Sequence, residues 1–482
     1  MAATMGVFVL SLLVFTGIGF ASTVARQKTS EDYLVAGRRI PAWLTALSSA
    51  ATNNSGFMFI GLIGFTYRFG VQAIWLQLGW IVGDWVAWRW VHGRVRRVSG
   101  DVDACSTPAL IATSDAGRLL RPVSIAAGAL TFIFLGGYAA AQFKAGSTAL
   151  HALFGWDLAV GAILGAAIVL VYCFSGGLRA SIWTDAAQAI VMIVSMAAIV
   201  ASAWRDLGDP ASLWRRLGEI DPALLEWFPA SLALGFGLYF LGFCFGGFGV
   251  VGQPHILARS MAIKSADEIP SARRIYFAWF IPFSVLALMV GLYSRALLPE
   301  LAIGAESSAA VAVHKAELAF PRMALTLLPD GVVGLVLAGL FSATMSTADS
   351  QVIACSAAIT QDIAPKWRDS YAASKAATTF ITLLALALAL SSADGVFDLV
   401  LSAWSMLGAS LGPLVLLRVF GRSVSPSLAL TMMAVGLATV WWWESSSWSG
   451  AVFKLFPGML APLVVYAIAQ ATGRITRPRR SP

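Results

Sequence analysis

The chain is expected to be an all-α polytopic membrane protein with about 13 transmembrane helices, each an apolar run near the length that spans a bilayer. Three observations predict this class. The 482 residues are 58% hydrophobic and 12% charged, and soluble domains carry roughly twice that charged fraction. Mean hydropathy is +0.77. With the N-terminus placed outside, the loops that become cytoplasmic hold roughly three times as many Lys and Arg as the opposite loops, the bias that orients membrane helices.

Taken in order, span 1 (5–23) has no basic segment or cleavage site before it, so it reads as a retained helix. Span 2 (42–66) carries "LSSAATNNSGFMFIG", with Thr52, Asn53, Asn54, Ser55 and Gly56 in mid-membrane. Spans 3 (73–92) and 4 (123–147) follow, the latter with Tyr138 and Lys144. Spans 5 (158–175) and 6 (184–204) flank the turn "SGGLRAS". Span 7 (229–251) runs into "LGFCFGGFGVVGQPHI", whose glycines precede Pro254. Spans 8 (275–296) and 9 (331–358) precede spans 10 (376–392), 11 (396–417), 12 (425–443) and 13 (456–472). Trp43, Trp75, Trp204, Trp214, Trp227 and Trp441 to Trp443 lie near span ends, as an interfacial belt requires.

A glycine-rich helix loses roughly 1 kcal/mol per Gly relative to Ala, and backbone freed in this way is tolerated at membrane depth only against protein or a cavity. Spans 2 and 7 are therefore expected to be interrupted, although glycines also serve close helix packing. Each opens a block of five helices, and an odd-numbered block repeated in tandem inverts. The organisation is then 1–41, a first helix and cytoplasmic loop; 42–204, a first repeat (spans 2–6); 229–418, a second repeat (spans 7–11); and 419–482, two helices and a basic tail. Paired interrupted spans at matching positions of two halves point to a secondary transporter.

The net charge of +8 is absorbed by topology, so no nucleic-acid partner is expected. Cys105, Cys173, Cys244 and Cys355 are scattered without metal-ligand spacing. No nucleophile–base constellation or nucleotide loop suggests an enzyme, and no organic cofactor is expected. What stands out is span 9, where "LFSATMSTADSQVIACS" (340–356) brings hydroxyls and Asp349 into an apolar helix. Such groups are costly in hydrocarbon and mark functional sites. Ser346 and Thr347 share a helix face with Ala343, an arrangement that suits an oxygen cage for a hard cation or back-bonding within the helix.

Five ordered stretches resemble the sodium:solute symporter family, particularly its sodium/proline branch. They are "SEDYLVAGRRIPAWLTALSSAATNNSG" (30–56), "SGGLRASIWTDAAQAIVM" (175–192), "GQPHILARSMA" (252–262), "ATMSTADSQVIACSAAITQDI" (343–363) and "AWSMLGASLGPLVLL" (403–417). The resemblance implies the LeuT-type fold of inverted five-helix repeats and sodium-driven import of a small organic solute, an amino acid such as proline or a carboxylate. It implies a sodium site made of the carbonyls of Ala51, Asn54 and Ala343 with the hydroxyls of Ser346 and Thr347. A second cation site or proton relay would use Asp185, Asp349 and Ser350 with Ser346. Asp185, read as opening span 6, also suits a helix N-cap.

Substrate-lining candidates are Asn53, Gln77, Tyr138, Gly246, Val250 and Trp404. Gly246 and Val250 stand where the proline branch has a tryptophan and a tyrosine, which predicts a roomier pocket. Asn53 replaces the branch's aspartate. Lys144 is expected to snorkel, to pair with Asp84, or to meet a substrate carboxylate. Expected partners are the solute, sodium and the lipid bilayer, in a bacterial inner membrane with the C-terminus cytoplasmic; the chain is compatible with a monomer. A second class, a symporter-like sensor working with a separate signalling partner, would predict continuation into a kinase region, whereas only "GRITRPRRSP" follows span 13.

Overall fold

The computed structural model describes residues 2–114, 117–229, 232–301, 315–391 and 396–472. The basic tail after 472 lies outside the described residues. Among those described, regular structure is helical, and β pairing is confined to isolated bridges. The main helices are α1 (Ala2–Ser22), α2 (Ala42–Asn53), α3 (Ile63–Phe69), α4 (Ile74–Trp90), α5 (Arg121–Phe154), α6 (Leu158–Leu207), α7 (Gly235–Phe248) and α8 (Pro254–Ala262). They continue as α9 (Ile269–Leu297), α10 (Asp330–Ala357), α11 (Tyr371–Ser391), α12 (Val396–Val419), α13 (Pro426–Glu444) and α14 (Leu455–Ala471).

A helix underlies each of the expected spans, and 10 helical stretches of the described residues are long and apolar enough to cross a membrane. The difference has structural causes. Span 2 is split, so α2 alone is 12 residues. Spans 5 and 6 run together as the 50-residue α6. At 1.5 Å per residue such a helix is about 75 Å long, more than twice a hydrocarbon core. It bends at Gly177, whose φ of 56° and ψ of −143° favour glycine. A Cβ there would meet the Tyr33 carbonyl at 2.4 Å. The last helix, α14, has 17 residues.

α10 forms the centre: 83% of its most apolar window is buried inside the protein, against 22% for α1. Every polar side chain of its 342–351 stretch is buried, so these oxygens face protein. The backbone of Ile40, just before α2, pairs with Ala262 and Lys264, just after α8. This clip joins the start of the first interrupted segment to the end of the helix that follows the second interruption.

The second interruption is narrower than expected. α7 is continuous through Gly242, Gly246 and Gly247, followed by a tight turn over Gly249–Gly252 and by Gln253 in extended conformation. Pro254 then opens α8 at a position where its missing N–H is harmless. The α7 glycines mainly permit contact: a Cβ on Gly247 would lie 2.0 Å from the Trp80 carbonyl, and one on Gly83 of α4 would lie 1.8 Å from that of Cys244.

Candidate functional site

α2 ends at Asn54, whose φ of −100° and ψ of 63° leave the helical region. Helix resumes as a widened turn over Phe57–Leu62 and then α3. The gap is held from outside. Gly56 N–H donates to Gln142 Oε1 at 3.0 Å, and Ser55 Oγ lies 3.2 Å from the Tyr138 hydroxyl. Gly56 itself is dictated by packing, since a Cβ would meet Thr344 Cγ2 at 2.8 Å.

The last carbonyls of a helix lack intrahelical donors, and those of α2 turn toward α10. Ser346 Oγ lies within donating distance of the Ala51 carbonyl (3.2 Å) and the Ala343 carbonyl (3.2 Å). Thr347 Oγ1 lies 3.0 Å from the Thr52 carbonyl and 3.1 Å from that of Ala343. Back-bonding and cross-helix bonding therefore coexist. Each hydroxyl has one proton, so the cluster holds more acceptor oxygens than protons to share. Ala51, Ala343, Ser346 and Thr347 come together as anticipated from the sequence. Asn54 differs: its amide donates to the Ala50 carbonyl at 2.8 Å, and the carbonyl that meets Thr347 is that of Thr52.

Beside this cluster, Asp185 Oδ2 accepts from Ser48 Oγ (2.6 Å), Thr52 Oγ1 (3.3 Å), Ser181 Oγ (3.4 Å) and Arg259 Nη2 (3.1 Å). Asp349 Oδ1 accepts from Ser181 Oγ (2.9 Å) and Ser350 Oγ (2.8 Å). The Arg259 guanidinium also reaches Ser48, Ser181, Ser350 and the His255 carbonyl. Arg259 and Asp185 are both wholly buried. Two neighbouring carboxylates call for a positive charge beside them, and Arg259 of α8 supplies one to Asp185. Asp185 does not cap a helix, because α6 continues through it from the bend at Gly177. Arg259 was missed from sequence, although an arginine inside the apolar run "HILARSMA" was the available signal.

A small cavity, about 20 Å³, opens at the α2 break, lined by Asn53, Asn54, Ser55, Gln77, Tyr138, Trp404 and, among others, Phe57, Trp80 and Phe280. That is room for about one water. Four of the expected lining residues (Asn53, Gln77, Tyr138, Trp404) are present. Gly246 and Val250 are not among them. Gly246 lies under the Trp80 ring, where a Cβ would meet Cζ3 at 2.6 Å, and its carbonyl accepts from Trp404 Nε1 at 2.8 Å. Val250 is fully buried in the turn after α7. The pocket is therefore tight rather than roomy: Trp80, from α4, occupies the space that the missing α7 side chain vacates. Asp84 bonds to Tyr276 (2.6 Å) and Asn53 (3.3 Å), and among the described residues Lys144 is not its ion-pair partner, so of the three readings of Lys144 that one is not taken up.

A family model described as the sodium:solute symporter family matches residues 33–436. The chain belongs to the sodium:solute symporter family. The symporter is 30% identical to the sodium/proline symporter of Escherichia coli over 95% of its own length and 90% of that protein's. It is 28% identical to a high-affinity proline transporter of Bacillus subtilis, over 91% and 92% of the two chains. Its fold matches a Na+-coupled sialic acid symporter solved in a substrate-bound outward-open state, with a TM-score of 0.77, 18% identity and 98% of each chain covered. It also matches Mhp1, a nucleobase-cation-symport-1 family transporter in a closed conformation, with a TM-score of 0.53, 15% identity and 91% and 94% coverage. The symporter is thus an integral membrane protein of the LeuT fold that couples solute transport to sodium, and it is a transporter rather than an enzyme.

Proposed function

We propose that the symporter imports a small amino acid such as proline, or a small carboxylate, across a bacterial inner membrane by alternating access. In this reading thirteen helices cross the bilayer, the N-terminus is outside, the C-terminus is cytoplasmic, and segments 42–204 and 229–418 act as inverted repeats. The relatives named above and the basic bias of one set of loops support it. Sodium binds where α2 meets α10, among the carbonyls of Ala51, Thr52 and Ala343 and the hydroxyls of Ser346 and Thr347. The observation that carries the assignment is the excess of acceptor oxygens over protons in that cluster. A cation satisfies every acceptor at once and ties the broken helix to α10. When it leaves, the two helices are free to separate and the cavity at Asn53, Gln77, Tyr138 and Trp404 opens toward the cytoplasm.

The test is uptake by proteoliposomes across a panel of amino acids, monocarboxylates and sugars, with inward sodium or potassium gradients. Sodium, and not potassium, drives accumulation. Thr347→Ala removes one oxygen ligand, and losing a contact of about 1.5–3 kcal/mol to a charged group raises half-saturating sodium roughly tenfold or more. Accumulation indifferent to the cation, or an unchanged sodium response in Thr347→Ala, would refute the site.

A further inference from the structure

At the end of α12, on the cytoplasmic side in the proposed orientation, a second cavity of about 110 Å³ lies apart from the solute cavity. Trp404 lines the solute cavity and Arg418 lines this one. At 1.5 Å per residue the two lie about 20 Å apart along α12. The floor is apolar: Ile111 of the short helix Thr107–Ala112, Val123 of α5 and Leu414 of α12 are all buried. The rim is polar and basic. Arg418 follows Leu414 by one helical turn and is half-buried, as is Ser114, while Arg422 and Ser423 are exposed.

The backbone brings the two arginines to one cavity. α12 is stopped by Gly421, whose φ of 69° is left-handed. Gly421 N–H donates to the Arg418 carbonyl at 3.1 Å and Arg422 N–H to the Leu417 carbonyl at 2.8 Å, the usual closure of a helix that reverses at glycine. With those carbonyls satisfied by backbone, neither guanidinium is needed to cap them. Among the described residues no carboxylate pairs with Arg422. The sequence has no Asp or Glu from Pro413 to Trp443. In the facing stretch 106–122 the one acidic residue, Asp115, lies outside the described residues and is outnumbered by Arg118 and Arg121. A further arginine, Arg94, stands over the Phe420 ring at 4.4 Å. Topology alone accounts for arginines in a cytoplasmic loop; it does not account for a cavity between them with an apolar floor.

Such a space holds several waters or a group the size of a phosphate. Guanidinium groups present paired donors that match phosphate oxygens, and the Ser114 and Ser423 hydroxyls add two more. Basic pockets between membrane helices on the cytoplasmic side suit anionic head groups. We propose that Arg418 and Arg422 form a phosphate-binding site, whose ligand is the headgroup of an anionic phospholipid or a free phosphate. The floor favours the lipid, because hydrocarbon behind the phosphate would lie against Ile111, Val123 and Leu414. The inference goes beyond the transport reading and does not depend on the sodium site; the proposed orientation enters only in assigning the leaflet.

The test is binding of radiolabelled phosphatidylglycerol, and separately of radiolabelled inorganic phosphate, to purified full-length protein in detergent. Wild type is compared with Arg422→Gln, Arg418→Gln and Arg216→Gln, the last an exposed arginine of another loop. Wild type is expected to bind phosphatidylglycerol saturably, with phosphatidylcholine a poor competitor. Arg422→Gln, at an exposed position that leaves the fold intact, is expected to weaken binding about tenfold, the scale of one lost charge-assisted contact. Arg418→Gln should weaken it at least as much, and Arg216→Gln should leave it unchanged. Arginine-dependent binding of the lipid alone assigns the site to a headgroup, and arginine-dependent binding of inorganic phosphate assigns it to a free phosphate. Binding of both probes that is the same in wild type, Arg422→Gln and Arg418→Gln overturns the proposal. Equal weakening in Arg216→Gln overturns it too, since that is the general attraction of a basic protein for anions.

Discussion

Arg259 is a wholly buried cation inside this symporter. Its guanidinium is fully buried against Asp185, Ser48, Ser181 and Ser350, drawn from three other helices of the fold. Removing one member of a buried ion pair strands the other, at about 3–5 kcal/mol. Arg259→Ala is therefore expected to lower thermal stability in detergent by several kcal/mol. Adding Asp185→Asn should recover part of that loss, because the stranded charge is gone; a double mutant as unstable as the sum of the two singles would deny the pairing. Arg259→Lys is not expected to substitute, since an ammonium cannot present the guanidinium's fork of donors. At this scale the sequence was informative about residue type. The buried oxygens of 342–351 and the carboxylate of Asp185 announce themselves because polar groups are rare in apolar helices. Their partners were hidden: Thr347 donates to the Thr52 carbonyl across 295 positions, and no local pattern says whether that carbonyl or the one of Asn54 will face it.

Among the helices, glycine is the residue whose meaning depends most on surroundings. In span 2 the run Asn53, Asn54, Ser55, Gly56 reads as a break, and α2 does end there. In span 7 a comparable abundance of glycine read as unwinding, yet α7 stays helical through Gly247 and uses its missing side chains to lie against α4. Unwinding and close approach both select glycine, so sequence alone leaves the two uses unseparated. The contact geometry predicts their consequences. Gly83→Ala and Gly247→Ala each drive a methyl into a backbone carbonyl, at 1.8 and 2.0 Å, and backbone cannot move aside as a side chain would. Overpacking of this kind costs about 1–3 kcal/mol or more, so both variants should melt earlier and transport poorly. Gly237→Ala, in the same α7 with nothing within 4 Å of the new methyl, should be neutral or stabilising by up to about 1 kcal/mol, the helix-propensity gain. Equal destabilisation by all three would show that helix dynamics, not contact, governs the α4–α7 pair.

For the whole molecule, the proposed orientation rests on where basic residues fall, and it can be tested directly. Cysteines placed at exposed Arg216, in an expected external loop, and at exposed Asp103, in an expected cytoplasmic one, should react differently with a membrane-impermeant maleimide in right-side-out vesicles. In a background without the native cysteines, Arg216→Cys should label at once and Asp103→Cys only after permeabilisation; the reverse pattern inverts the topology. Membrane class, the positions of the helices, the span 2 break and the family resemblance were all legible in the chain itself. They rest on hydropathy, backbone preference and short motifs, which are properties of neighbouring residues. Tertiary structure alone decided that Arg259 pairs with Asp185 beside a second carboxylate, that Trp80 packs over Gly246 in a pocket which looked open from the sequence, and that Asp84 bonds to Asn53 and Tyr276. Each of these is settled by which helices touch and at what height, and contacts between distant segments leave no trace in local composition.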